Sequence, residues 1–223
     1  MYSAPLARWT TPDPLADKYY SISPYAFSGN NPVNFVDPDG NKLYFAAGVS
    51  EAFKQKFAAV VQFMNEKGTA GDLATLEASD KVYYINEVAL ASENTFSPKQ
   101  MTISWAPDAI AVTEDYMQLS PATTLAHEAA HAAAYDKVKS TDNKDDDRVL
   151  NQLKEPGSEP QFNTLHERSI VAGPEQIAAR KHGEIREDQI TRRNRYLRPQ
   201  VNVPKGYTPE QVSKAVFEHN NSF

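Results

Sequence analysis

Two histidines and a glutamate stand at the spacing that holds a catalytic zinc ion. Residues His127-Glu128-Ala129-Ala130-His131 spell H-E-x-x-H. Side chains four residues apart on an α-helix lie on one face, so His127 and His131 can bind one ion from a single rigid element. Glu128 can then reach a water molecule at the open coordination position and act as a general base. The motif predicts a zinc-dependent hydrolase with Zn²⁺ as its cofactor.

The flanking residues predict a helix around the motif. Ser120-Pro121 is typical of an N-cap followed by proline at the first helical position, so we expect a helix over about 121–135. The many alanines in this stretch allow a neighbouring helix to approach closely and to bring a further ligand. The competing interpretation is an alanine-rich core helix whose histidines pair with nearby carboxylates.

A catalytic zinc ion usually takes three protein ligands, and the third is not local here. Ala134 and Lys137 stand where the metzincin pattern requires glycine and histidine, which excludes that class. A glutamate from a later helix is the commoner arrangement, as in gluzincins. The remaining candidates are the other histidines and three later glutamates: His166, His182, His219, Glu167, Glu175 and Glu184.

Two of the glutamates are the strongest candidates for the third zinc ligand. Glu167 has the spacing of a capping box behind Thr164. Glu175 precedes an apolar and small face that suits packing against the alanines of the motif helix. We therefore prefer Glu175 as the third ligand, with Glu167 as the alternative.

A peptidase also needs a group that stabilises an oxyanion and a surface that binds the substrate. The cationic and phenolic candidates for the oxyanion are Tyr135, His182, Arg186 and Tyr196. The strand predicted around Ile103-Ser104-Trp105 could pair with an extended peptide if it lies at a sheet edge. A buried central strand is the alternative.

Composition excludes several other chemistries. The chain has 223 residues, 40% of them hydrophobic and 23% charged, with a net charge of −6 and no cysteine. Disulfides, thiol catalysis and cysteine-bound zinc are therefore excluded. The acidic net charge does not favour nucleic-acid binding, and acidic residues interrupt the arginine-rich stretch 180–198. We expect no membrane segment, and no signal peptide is visible.

The chain divides into two parts at about residue 41. Residues 1–41 are rich in proline and aromatic residues, whereas residues 42–223 alternate between helical and strand patterns. The predicted class is α+β, with a small mixed sheet and helices that include a zincin-like active-site helix. We expect strands at 42–47, 81–88 and 100–106, and helices at 50–66, at 121–135, from 164 with a restart or kink at 173–176, and from 208 toward 219.

The first part resembles a known family. Asp13-Pro14-Leu15-Ala16-Asp17-Lys18-Tyr19-Tyr20, followed by Gly29-Asn30-Asn31-Pro32 and Val36-Asp37-Pro38-Asp39-Gly40, closely resembles the end of the RHS-repeat-associated core. The resemblance implies that residues 1–41 close a cage of YD repeats in a larger secreted bacterial protein. Asp13 and Asp37 match the aspartyl self-cleavage positions of that family. Leu15-Ala16 and Asp39-Gly40 depart from the family's usual Asp-Pro-x-Gly-Leu form.

The second part is similar, over about residues 80–195, to H-E-x-x-H toxin tips found on RHS proteins. This resemblance implies a zinc metallopeptidase effector for interbacterial competition, delivered into a target cell as the C-terminal part of the larger protein. Its implied partners are a protein substrate, a cognate immunity protein and the parent RHS cage. The alternatives are a nuclease or other non-protease tip and a non-catalytic cage or adhesion module.

Overall fold

A computed structural model describes residues 2–3, 8–9, 43–113, 116–137, 164–191 and 200–222. The chain has the predicted α+β class. Its strands are β1 (Tyr2–Ser3), β2 (Arg8–Trp9), β3 (Leu43–Phe45), β4 (Tyr83–Glu87), β5 (Thr95–Ser97), β6 (Thr102–Trp105), β7 (Ala109–Val112), β8 (Gln118–Leu119) and β9 (Val201–Asn202). Its α-helices are α1 (Glu51–Lys67), α2 (Gly71–Glu77), α3 (Pro121–Asp136), α4 (Leu165–Ile170), α5 (Gln176–His182) and α6 (Pro209–Asn220).

The main sheet has four strands in the order β3-β4-β6-β5. The β3–β4 and β4–β6 pairs are parallel, and β5 runs antiparallel to β6. Because side chains alternate along a strand, one face of the sheet is buried, and helices α1 and α3 cover it. The strand residues on this buried face are Leu43, Phe45, Tyr83, Ile85, Ile103 and Trp105. The strand predicted around 103–105 is therefore central, and the expectation that it forms a sheet edge is wrong. Among the described strands, β5 is the edge nearest to it.

Helix α1 confirms the amphipathic helix predicted after residue 50. The Ser50 side chain caps it by accepting a hydrogen bond from the Phe53 amide. Gly68 ends it in the left-handed conformation, with φ of 66°. Gly71 begins the short helix α2.

Helix α3 carries the H-E-x-x-H motif, as predicted, and runs through the core. The Ser120 side chain accepts a hydrogen bond from the Thr123 amide, and Pro121 occupies the first turn. The indole nitrogen of the buried Trp105 donates to the Pro121 carbonyl at 2.8 Å, which ties the first turn to strand β6. Almost all of the helix is buried, because its alanines pack against the sheet and the neighbouring helices.

Residues 165–182 form one continuous helical segment that contains a change of pitch. Helix α4 passes into a π-helical turn at Val171–Glu175, which passes into α5. Pro174 lies inside the π turn, where an ordinary helix would lose a hydrogen bond and clash with the preceding turn. The restart or kink predicted at 173–176 is this turn. Two further predicted features are also present, since Thr164 caps α4 and Thr208 caps α6 in a capping box.

Among the described residues, no helix is both long enough and apolar enough to span a membrane. Residues 1–41 lie outside the described part of the chain, apart from the antiparallel pair β1–β2. The predicted cage remnant and its self-cleavage residues Asp13 and Asp37 are therefore predictions without structural description.

A buried carboxylate holds the N-terminus of α3 in place. Glu184 is fully buried, and it accepts hydrogen bonds from the Ser120 amide at 3.1 Å and from the Ser120 hydroxyl at 2.5 Å. The hydroxyls of Thr123 and Ser213 also donate to it, at 2.8 and 3.2 Å. Four donors from α3, its cap and α6 satisfy the charge that burial would otherwise penalise. Glu184 thus fixes the start of the motif helix.

We expect Glu184→Ala to lower the free energy of unfolding by about 3–5 kcal/mol, because its buried donors lose their shared acceptor. Urea unfolding followed by circular dichroism measures this loss. Glu187→Ala is the matched control, since the Glu187 side chain is 94% exposed and should have little effect. Equal stability of the two variants would contradict the role assigned to Glu184.

Candidate metal centre

The two motif histidines converge on one point. One helical turn apart on α3, they bring their Nε2 atoms to 2.9 Å from each other. The ligand atoms of His127, Glu128 and His131 all lie within 4.8 Å of one another. The predicted arrangement, with two imidazoles and the intervening glutamate on one helix, is therefore present in the structure.

A carboxylate from the 165–182 helical segment joins the histidines. Glu167 Oε2 lies 3.0 Å from His131 Nε2, and Glu167 Oε1 lies 3.6 Å from His127 Nε2. Ligand atoms bound to a tetrahedral zinc ion at ~2.0–2.1 Å are roughly 3.3 Å apart. The separations of 2.9 Å between the two Nε2 atoms and of 3.0 and 3.6 Å from these atoms to Glu167 lie on both sides of this value. Two imidazoles and a carboxylate are also the donor set that catalytic zinc takes in thermolysin-like enzymes, so these residues fit the ion.

A second carboxylate lies on the opposite side of the His127 ring. Glu175 Oε2 is 2.8 Å from His127 Nδ1, and the Glu175 side chain is fully buried. This proximity would allow Nδ1 to carry the proton and to turn it toward the carboxylate. The lone pair of Nε2 then points toward His131 and Glu167. Such carboxylate–histidine contacts orient metal ligands and raise their basicity.

The preferred third ligand changes from Glu175 to Glu167. Glu175 contacts the nitrogen of His127 that faces away from His131, so it supports a ligand rather than completing the coordination set. Glu167 lies at the nitrogens that face each other. Both glutamates belong to the same helical segment, eight residues apart, which is why it can supply a ligand and a supporting carboxylate together.

Among the described residues of the centre, the partly exposed side chains are those of His131 and Glu167. His127 and Glu128 are buried, whereas the side chains of His131 and Glu167 are 16% and 25% exposed. Glu128 Oε1 lies 4.0 Å from His127 Nε2, close enough to act on a water molecule that occupies the centre. A substrate would therefore approach on the side of His131 and Glu167.

His166 lies beside the centre without adding positive charge. Its ring centroid is 4.7 Å from that of His131, and its Nε2 atom is buried with no hydrogen-bond partner among the described residues. Burial, followed by repulsion from His131, lowers the pKa of His166 to about 4, although Glu167 acts in the opposite direction. The imidazole is therefore neutral at neutral pH, which leaves the surroundings favourable for a cation.

The remaining candidate ligands are engaged elsewhere. Glu184 binds hydroxyl groups at the start of α3. His182 is buried between two threonines, with Nδ1 2.8 Å from Thr123 Oγ1 and Nε2 2.8 Å from Thr69 Oγ1. His219 donates from Nε2 to the Tyr116 carbonyl at 3.1 Å. None of the three contributes to the centre.

Two of the described oxyanion candidates, His182 and Arg186, have partners other than the residues of the centre. Both ring nitrogens of His182 lie 2.8 Å from threonine hydroxyls, which does not favour a role in binding an oxyanion. The Arg186 guanidinium binds Asp188 and Asn221 at the surface, which does not favour this role either. The Tyr135 ring packs between Phe96 and Lys81. Tyr196 lies outside the described residues.

Sequence reasoning missed the network around Glu184 and the edge position of β5. The network contains hydroxyl residues at the N-cap and first turn of α3, and such residues are usually explained by capping alone. A glutamate directly after the glycine that ends α5 is the one local signal, because Gly183 turns the chain back toward the core. Strand β5 has three residues, too few for a clear alternation.

Comparisons of the chain with models of protein families, with curated proteins and with solved structures found no match. The resemblance to RHS proteins accordingly stays a prediction.

We expect one zinc ion to bind per chain, with His127, His131 and Glu167 as ligands. Titration of zinc into metal-free protein, followed by calorimetry, should show loss of the site in His127→Ala and His131→Ala. Glu167→Ala should weaken binding by more than about 100-fold, because a charged ligand is removed. Glu175→Gln should keep the one-to-one stoichiometry with about 10–100-fold weaker binding.

His219→Ala is the matched control, since this histidine lies on α6 and binds a backbone carbonyl. Its zinc affinity should equal that of the unmodified chain. Complete loss of zinc in Glu175→Gln together with unchanged affinity in Glu167→Ala would restore Glu175 as the ligand and overturn the geometric assignment.

Proposed function

We propose that this chain is a zinc-dependent metallopeptidase, with His127, His131 and Glu167 as metal ligands and Glu128 as the catalytic base. The observation that carries the proposal is the convergence of the two Nε2 atoms and the Glu167 carboxylate, with Glu128 on the same helix. A purely structural pair of histidines would not require a third donor and a buried supporting carboxylate.

Each side chain has a separate task in peptide hydrolysis. His127, His131 and Glu167 would hold a zinc ion, which would supply a Lewis acid for the carbonyl group and would lower the pKa of a bound water molecule. Glu128 accepts the proton of the attacking water and delivers it to the leaving amine. Glu175, which lies 2.8 Å from His127 Nδ1, would orient the ring of His127 toward the metal.

The edge strand β5 is suited to holding an extended peptide. Among the described strands, β5 has β6 as its one partner, which leaves a row of backbone groups on its other side. Its central residue Phe96 packs against Tyr135, one turn after His131 on the motif helix. Pairing of a substrate with this edge would bring a peptide bond alongside the helix.

The biological setting follows from the resemblance of residues 1–41 to the RHS core. This resemblance supports the proposal that the chain is an effector toxin used in interbacterial competition. The toxin would be delivered into a target cell as the C-terminal part of a larger bacterial protein. A protein of the target cell would be the substrate, and a cognate immunity protein would protect the producer. Residues 1–41 would belong to the parent cage, with Asp13 and Asp37 as candidate self-cleavage residues, and residues 42–223 would form the toxin domain.

The described part of the arginine-rich stretch does not favour a nuclease. Arg180 lies 3.9 Å from a carboxylate oxygen of Glu187, and Arg186 pairs with Asp188 at 3.1 Å. Phosphate binding would compete with these acidic partners. The other alternative is a non-catalytic module. Replacement of the Glu128 carboxylate would inactivate an enzyme and would leave the function of such a module unchanged.

We expect Glu128→Gln to keep its zinc ion and to lose peptidase activity by about 10²–10⁴-fold, because the amide cannot accept the proton of the water. Expression of the variant inside bacterial cells should be harmless, whereas the unmodified chain should stop growth. Zinc content and cleavage of a protein mixture, resolved by mass spectrometry of new termini, are measured together.

Glu210→Gln serves as the control, because its exposed carboxylate lies on α6 and pairs with Lys67. It should retain activity and toxicity. Full toxicity of Glu128→Gln, or activity of the unmodified chain on nucleic acid instead of protein, is the outcome that excludes the metallopeptidase.

A further inference from the structure

A cavity of about 440 Å³ lies between the start of α3, helix α1 and helix α6. Its walls come from four separate stretches: residues 56–60 of α1, the loop at 107–108, residues 120–122 and residues 203–212. No residue of the candidate metal centre lines it. The volume falls within the ~300–1,000 Å³ typical of small-molecule sites.

The inner wall of the cavity is apolar. Val60, Pro107, Ala122 and Val212 are buried and contribute no charged or hydrogen-bonding side chain. Tyr207, which is 47% exposed, stands at the outer wall. An apolar chain or ring would exchange water for these walls at a gain of roughly 25 cal/mol per Å² of buried apolar surface.

The cavity is lined by three charged side chains, two lysines and one aspartate. Lys56 and Asp108 form an ion pair at 2.5 Å, so their charges compensate each other. Lys205, the third charged lining residue, has no carboxylate partner among the described residues. The lining therefore carries an excess of one positive charge, in a loop that borders the apolar wall.

We propose that this cavity binds a small amphipathic anion, in which an aliphatic or aromatic body fills the apolar interior and a terminal carboxylate pairs with Lys205. The cavity selects the body through its shape and apolar walls, and the uncompensated lysine selects the charge. A cationic ligand with the same body would meet Lys205 without an available counter-charge.

The site is independent of the proposed peptidase chemistry. The cavity meets the first turn of α3 at Ser120–Ala122, whereas the motif residues begin at His127 on the same helix. The binding test requires neither zinc nor activity, so failure of one proposal leaves the other standing.

Decanoate is a suitable probe, because it combines an aliphatic body with a carboxylate. Calorimetric titration of the full chain should give a saturable isotherm with one decanoate per chain. Decyltrimethylammonium, which has a similar tail and the opposite charge, should bind at least about tenfold more weakly. Equal binding of the two amphiphiles would overturn the assigned anion class.

Two pairs of variants locate the binding. Ala59→Trp fills the cavity from its exposed rim and should abolish decanoate binding, whereas Ala58→Trp, on an exposed neighbouring position outside the lining, should not. Lys205→Gln should weaken decanoate binding by about tenfold, whereas Lys214→Gln on α6 should leave it unchanged. Circular dichroism confirms that each variant is folded.

Absence of saturable decanoate binding to the unmodified chain would overturn the proposal. So would equal binding by Ala59→Trp and Ala58→Trp, since the ligand would then lie elsewhere. Equal effects of Lys205→Gln and Lys214→Gln would show that general surface charge, rather than the lysine of the cavity, attracts the anion.

Discussion

The imidazole of His127 lies between two carboxylates, and the candidate centre depends on this arrangement. Glu175 contacts Nδ1 at 2.8 Å, while Glu167 lies on the side of Nε2 together with His131. The inner carboxylate lies against Nδ1, so Nε2 is the ring nitrogen that faces His131 and is available to a metal ion. Because His127 and Glu175 are both buried, this contact is shielded from water.

The rest of the fold keeps the two helical elements that supply these side chains in register. Trp105 ties the first turn of α3 to the central strand of the sheet, and Glu184 ties its cap to α6 and to the end of α5. The π turn allows the 165–182 helical segment to accommodate Pro174 without ending. One continuous segment can therefore present Glu167 and Glu175 to the same histidine.

The sequence predicted those elements whose signals are local. Ser120-Pro121 located the start of α3, and the apolar stripe of α1 located a long amphipathic helix, so the structure confirms both. Strands β7, β8 and β9 have two to four residues and contain too few alternations to be recognised. The position of β6 inside the sheet depends on pairing with β4 and β5, which no local pattern records.

The candidate metal ligands also divide into those that local sequence predicts and those that depend on distant contacts. His127, Glu128 and His131 follow from helical spacing, which any short segment determines. The choice between Glu167 and Glu175 depends on how a distant helical segment crosses α3, and both glutamates had sound local explanations. His182 had suitable chemistry for an oxyanion but is enclosed by two threonines. Residue type suggested these roles, and only the three-dimensional contacts distinguished among them.

Anomalous diffraction from crystals of the zinc-loaded chain tests the central claim most directly. We expect a single zinc peak bound by His127 Nε2, His131 Nε2 and a Glu167 oxygen at about 2.0–2.2 Å, with Glu175 still in contact with His127 Nδ1. A zinc peak bound by Glu175 in place of Glu167, or no peak at the two histidines, would contradict the proposed centre.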